Sequence, residues 1–300
     1  MEKLKFDLEI NRWDRDDLRF YFAFKGEELF RAIGVTSLIQ KIMPQSPFLT
    51  EWIRRKGMES RDIMNIAAEY GTLSHICVKE LTETGAFMLD YCDDIVNDYI
   101  LKSEYVDLIR PYRKDWTRRL PRDILAFNQF CIDYQVEPVA TEIMLFSFEK
   151  LLAGTADLIC WMHIGSGQNG VMLKKDKTPR KVMALLDYKS KLDGNFYLAH
   201  EIQLWFYKMI LKEMFPDLKI DILGNVSPKD WRSSPTYNFH IWNKDREAMC
   251  NAYLAAYRET SKDDEEDLIT SIRGNLVFKD DASKYFNVKT VSEFIKEVKK

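Results

Sequence analysis

The sequence predicts an α/β fold, a mixed central sheet flanked by helices, with an N-terminal helical annex ahead of it. Three observations lead there. From Val139 onward short apolar runs alternate with one helical pattern and then another, in the order β-β-β-α-β-β-α up to residue 260. Between Pro47 and about Tyr134 the apolar residues recur at helical spacing instead. Ahead of both, Phe20-Tyr21-Phe22-Ala23-Phe24, Lys25-Gly26 and the stretch from Glu27 to Ile33 read as a hairpin, because aromatic and β-branched residues flank a glycine turn. The expected organisation is hairpin and annex over 1–135, an α/β core over 136–260, and an acidic segment with a C-terminal helix over 261–300.

Taken in order, Thr36-Ser37 supplies an N-cap for a short helix that ends before Pro44. Gly57, Gly85, Pro111 and Pro121 are expected to break the annex into separate helices. In the core, Val139 to Phe148, Ala156 to His163 and Val182 to Lys189 read as strands, with a short turn at Leu151 to Gly154 between the first two. Gly165-Ser166-Gly167-Gln168-Asn169-Gly170 provides turn residues before a charged connection to Arg180. Leu198 to Phe215 is a helix closed by Pro216, Lys219 to Val226 and Thr236 to Trp242 are strands, and Asp245 opens a further helix.

A chain of 300 residues with 46% hydrophobic content can bury a substantial core. Its five cysteines form no Cys-x-x-Cys pair and are odd in number, which argues against a disulfide framework, a zinc site and an iron–sulfur cluster, and fits a reducing, intracellular setting. The first residues lack the apolar segment of a signal peptide and no uncharged apolar run approaches membrane-spanning length, so a soluble protein with no membrane partner is expected. The net charge of −3 does not advertise a nucleic-acid binder, but local potential matters more than the sum. Arg110, Arg113, Lys114, Arg118, Arg119 and Arg122 face only Asp115, with Tyr112 and Trp116 interleaved. A second basic cluster is Lys174, Lys175, Lys177, Arg180 and Lys181 around Asp176, and the acidic run 263–267 offsets both.

Asp187-Tyr188-Lys189 closes the apolar run Val182-Met183-Ala184-Leu185-Leu186, and residues two apart on a strand share a face. Asp157, in Gly154-Thr155-Ala156-Asp157, likewise sits where a carboxylate is hard to justify structurally, because a buried unpaired charge is costly. Convergent carboxylates are what a divalent cation needs in phosphoryl transfer. Alone, Asp187 and Lys189 also fit a strand-end ion pair. Gln203 and Tyr207, four apart, share one face of the next helix, a spacing that a polar stripe would equally give. Upstream, Gly71-Thr72-Leu73-Ser74-His75 places an imidazole on a helix, where it is either structural or a neutral nitrogen ligand.

In this order, Gly-x-x-x-His, Gly-Thr-Ala-Asp, Asp-x-Lys and Gln-x-x-x-Tyr resemble the PD-(D/E)XK nuclease superfamily, in particular its RecB-like exonuclease branch, over about residues 30 to 215. Gly34-Val35-Thr36-Ser37-Leu38-Ile39 followed by Leu49-Thr50-Glu51-Trp52 resembles the opening of phage exonucleases and of the mitochondrial genome maintenance exonuclease. The resemblance implies a restriction-endonuclease-like core. It implies that His75, Asp157, Asp187 and the Tyr188 carbonyl hold Mg²⁺, with Mn²⁺ able to substitute, and that Lys189 positions or helps deprotonate the attacking water. Asp157, Asp187 and Lys189 would be the catalytic set, and Gln203 and Tyr207 would orient the site and contact the nucleic-acid strand. Glu142 matches an acidic position often seen before the Gly-x-x-Asp element. Relatives with an iron–sulfur cluster carry cysteines around this core; here Cys250 is the only cysteine after Cys160, so no cluster is expected. No Walker A motif occurs, so no nucleotide cofactor is expected and any unwinding would come from a helicase partner.

The expected function is metal-dependent exonucleolytic hydrolysis at free single-stranded or flap DNA ends, in replication, recombination or repair, in the cytoplasm of a host cell if the chain is phage-encoded. Arg54, Arg55, Lys56, Arg113, Lys114, Arg118, Arg119 and Arg122 would line the strand's path, a role that weighs evenly against a solvated surface. One alternative is a duplex 5′→3′ resecting exonuclease working with a strand-annealing protein. Another, of a different class, is a non-catalytic DNA-end-binding or packaging factor.

Overall fold

The computed structural model describes residues 8–15, 18–26, 28–165, 180–191 and 194–261. Its organising element is one mixed eight-stranded sheet, in which β1 (Ile10–Arg15), β2 (Leu18–Lys25) and β3 (Glu28–Gly34) form an antiparallel meander. The hub is β5 (Leu152–Ile164). It pairs antiparallel with β4 (Glu137–Ser147) and β6 (Arg180–Tyr188), and takes β3 in parallel at Leu152 and Ala153. Beyond β6 the sheet continues with β7 (Ile222–Lys229), parallel to it, and ends at the antiparallel β8 (Thr236–Trp242).

Helices cover both faces. On β6 the residues alternate: Val182, Ala184, Leu186 and Tyr188 pack into one core with α3 (Glu59–Thr84), α4 (Cys92–Lys102), α5 (Val106–Ile109) and α6 (Arg113–Asp133). Met183 and Leu185 pack on the other side with α1 (Val35–Ile42), α7 (Leu198–Met214) and α8 (Glu247–Thr260). A strand buried on both sides reads as the continuous apolar run seen in the sequence. The annex is therefore one helical layer of a three-layer sandwich, and the hairpin belongs to the sheet. The boundary expected at residue 135 separates neither core, because α3 to α6 share theirs with β5, β6 and β7.

Several local expectations are corrected. Strand β1 went unrecognised because Asn11-Arg12-Trp13-Asp14-Arg15 is polar, as befits an edge strand. Helix α1 starts at Val35 behind Gly34, with Thr36 and Ser37 inside it; the Ser37 hydroxyl accepts the Arg19 N–H at 2.8 Å instead of capping. Gly57 and Gly85 do end α2 (Pro47–Lys56) and α3, Gly85 in the left-handed conformation at φ +74°, which glycine adopts without strain. Pro111 falls in a 3-10 turn, Arg110–Tyr112, but Pro121 lies within α6 and does not break it. An interior proline costs a helix about 3 kcal/mol, and the buried Leu120, Ile124 and Phe127 offset that by packing. Gly154 is in β5, not in a turn. The turn at 165–170, except Gly165, most of the second basic cluster, and the segment 262–300 lie outside the described residues. No helix among the described residues is long and apolar enough to cross a membrane.

Candidate functional site

Helix α3 buries Tyr70, Leu73, Cys77 and neighbouring residues against the sheet, a stripe with the i, i+3, i+7 spacing of one helix face. His75 flanks that stripe, with its side chain 29% exposed and its ring edge-on to Tyr188 at 5.3 Å. Ser74 beside it is fully buried and shares a 2.9 Å hydrogen bond with the Tyr188 hydroxyl. The helix is thus pinned to the end of β6.

His75 Nδ1 lies 3.3 Å from Glu142 Oε1 and 3.6 Å from Asp157 Oδ2, and ligand atoms of the three residues all fall within 4.8 Å of one another. The two carboxylates meet through a local distortion of the sheet. The pairs Ile143↔Ala156 and Thr141↔Leu158 flank Glu142 and Asp157, so these two lie opposite each other. Glu142 has φ +49°, in the left-handed region, at a cost of about 1–2 kcal/mol for a residue with a Cβ. On β5 the alternation of faces resets at the same level: Gly154 and Ala156 face α7, whereas Leu158 and Cys160 face α3 and α6. Strain of this kind concentrates at functional sites.

Asp187 is almost completely buried and closes the adjoining half of the site. Its Oδ1 accepts Lys189 Nζ at 2.9 Å and Gln203 Nε2 at 3.1 Å, and Gln203 also reaches the Tyr207 hydroxyl at 3.3 Å. The link between the halves is the Tyr188 N–H, which donates to Asp157 Oδ2 at 2.8 Å. Gly154 explains how Tyr207 fits: a Cβ there would stand 2.5 Å from Tyr207 Cε1, so only glycine lets the ring lie against β5.

Electrostatics follow the geometry. Burial opposes the charge on His75, but Asp157 and then Glu142 outweigh it and push the imidazole up to about 9. Burial raises the Asp157 carboxyl, against the pull of His75. Burial also pushes Asp187 up to about 6, with Lys189 pulling the other way. For Lys189, burial pulls the ammonium down, but Asp187 and Asp157 more than compensate and raise it.

The sequence-predicted residues His75, Asp157, Asp187, Tyr188, Lys189, Gln203 and Tyr207 therefore converge. In the apparent ligand cluster the third member is Glu142; Asp187 is engaged by Lys189 and Gln203. Most of the basic residues hold acidic partners within the chain. Arg54 pairs with Glu51, Arg113 with Asp93 and Arg118 with Asp115, and Lys56 is 3.8 Å from Glu59. Arg122 binds Asp230 at 2.8 Å and the Trp231 carbonyl, and Arg119 points inward to Asp123 and Ser190. Arg55 and Lys114 are exposed. Asn225 was missed: a lone amide in the run Ile222-Leu223-Gly224-Asn225-Val226, it is fully buried and donates to Asp187 Oδ2. A polar residue inside a strand buried on both sides was the available signal.

No family model matches the chain, and no curated protein matches it in sequence. One imidazole and two carboxylates in this arrangement could hold a divalent cation.

Proposed function

We propose that the chain is a Mg²⁺-dependent DNA exonuclease of the PD-(D/E)XK superfamily, RecB-like branch, acting at free single-stranded or flap ends. The observation that carries this reading is the convergence of four motif segments, spread from His75 to Tyr207, on one place where the end of β6 meets the middle of β5. His75, Glu142 and Asp157 would hold the metal, with Asp187 and the Tyr188 carbonyl beside them. When bound, the ion would supply Lewis-acid polarisation of the phosphate and make a bound water more acidic than bulk water.

The chain's own residues do the rest. Lys189, kept cationic by Asp187 and Asp157, stabilises negative charge developing on the phosphoryl oxygens and orients the attacking water. Gln203 spans Asp187 and Tyr207 and holds the carboxylate face. The Tyr188 N–H fixes Asp157 Oδ2, the same oxygen that lies 3.6 Å from His75 Nδ1.

The test is digestion of end-labelled single-stranded, blunt duplex and covalently closed circular DNA with Mg²⁺. Linear single strands should shorten from an end and closed circles should survive. Cutting of closed circles would overturn exonuclease action, faster loss of blunt duplex would point to the resecting alternative, and inertness on every substrate with both Mg²⁺ and Mn²⁺ would overturn the nuclease reading.

A further inference from the structure

The end of β6 is gripped from two sides by groups that no motif includes. On one side stands Asn225, directly opposite Asp187 in the parallel β6–β7 register and wholly buried. Its Nδ2 donates to Asp187 Oδ2 and, at 3.3 Å, to the Asp187 carbonyl. Its Oδ1 accepts Trp242 Nε1 at 2.7 Å. Because an indole N–H only donates, the amide oxygen must face Trp242 and the amide nitrogen must face Asp187. With Oδ1 held by Lys189 and Gln203, both oxygens of Asp187 are engaged, and the carboxylate has one orientation.

On the other side, Arg119 of α6 donates through Nη2 to the carbonyl of Ser190, the residue after Lys189. Its Nε donates to Asp123 at 3.0 Å, and its guanidinium lies 4.1 Å from the centroid of the Tyr70 ring. Asp123 is buried and also accepts the Tyr70 hydroxyl at 2.8 Å. A buried carboxylate needs its partners, so Asp123 fixes Arg119 as firmly as Arg119 fixes Ser190.

We propose that Asn225 and Arg119 are positioning residues that clamp Asp187-Tyr188-Lys189-Ser190 from two sides and thereby set where the Lys189 ammonium stands. Neither touches substrate. Arg119 is then a different kind of residue from the phosphate-binding cation that its basic neighbourhood suggested. The kinetic consequences rest on the nuclease reading above; the hydrogen-bond network does not.

The experiment has two arms. In the first, Asn225→Ser, Trp242→Phe, Arg119→Lys and Arg119→Gln are compared with the wild type for single-turnover cleavage and for DNA affinity across a salt series. The clamp predicts a cleavage rate down about 10- to 100-fold for Asn225→Ser and for both Arg119 variants, as for other residues that orient a metal site from behind, with DNA affinity and salt slope unchanged. Lysine should not rescue Arg119, since it cannot reproduce the forked contact to Asp123 and Ser190. Trp242→Phe, which only frees the amide to turn, should lose less. A phosphate contact would instead leave Arg119→Lys near wild type, and Arg119→Gln would bind DNA more weakly with a salt slope lower by about one; that result overturns the Arg119 assignment. In the second arm, NMR follows the Asn225 side-chain amide and the Trp242 indole N–H in wild type and Asp187→Ala. Both signals should shift together, and constancy would overturn the Asn225 assignment. This arm decides the Asn225 side, and the DNA affinity and salt slope of the Arg119 variants decide the Arg119 side, even if the wild type cleaves no DNA, an outcome that would remove the nuclease reading alone.

Discussion

The two halves of the site hold their carboxylates in opposite ways. Around Asp187 every oxygen is satisfied: Lys189, Gln203 and Asn225 surround it, and the group is 2% exposed. Around Asp157 two carboxylates and an imidazole crowd together, partly open to solvent, with positive charge supplied by His75 and more distantly by Lys189. Negative charge gathered without a full complement of cations favours taking one up, whereas a saturated carboxylate serves to hold something else in place. The difference suggests a division of labour that goes with the proposed function: the Glu142–Asp157 half is the one that could receive a metal, and the Asp187 half holds Lys189.

The largest effect should come from Asp157→Ala. It removes a ligand and the acceptor of the Tyr188 N–H together, so cleavage should fall by about 10³-fold or more, at the level of losing a transition-state contact, and EDTA should mimic it in the wild type. Retained activity would put the metal elsewhere. Next is Gly154→Ala, whose Cβ would collide with Tyr207 at 2.5 Å; overpacking of this kind costs about 1–3 kcal/mol, visible in urea unfolding. Tyr207→Ala should relieve most of that loss in the double variant, and strict additivity would contradict the packing described.

The pH dependence of the metal-free protein separates the halves by sign. His75 is raised from 6.5 to about 9, so its contribution to stability is complete below pH 6.5 and is lost as pH rises through about 9. Asp187 is raised from 3.8 to about 6, so the folded state loses stability on that account as pH rises from 3.8 to 6. Urea titrations of wild type, His75→Gln and Asp187→Asn should show each slope vanish only in its own variant. The smallest effect should be Glu142→Gly above pH 9, where the imidazole is neutral: relief of the φ +49° strain returns about 1 kcal/mol of stability, and divalent affinity falls. A destabilised variant with unchanged affinity would sink the role given to Glu142.

Much of this was legible from residue pattern, and the failures have physical causes. Strands β5 to β7 declared themselves because buried strands are apolar runs, and β6 marked the site by ending in charge. Strand β1 did not, since an edge strand needs few apolar residues. Pro121 misled because a helix tolerates proline when tertiary packing outweighs the lost hydrogen bond. Arg119 and Arg122 read as surface charge, yet their partners Asp123, Ser190, Asp230 and Trp231 include residues some seventy to a hundred positions away, which no local window contains. Glu142 matched an acidic position but its backbone conformation, which turns it toward His75, carries no sequence signature.

The most direct test of the division between the halves is a Mn²⁺ titration, followed by electron paramagnetic resonance, of wild type, Asp157→Asn and Glu142→Gln. Wild type should bind the ion and each variant should bind at least about tenfold more weakly. Absence of binding by wild type, or equal binding by all three, would contradict a metal centre built on His75, Glu142 and Asp157.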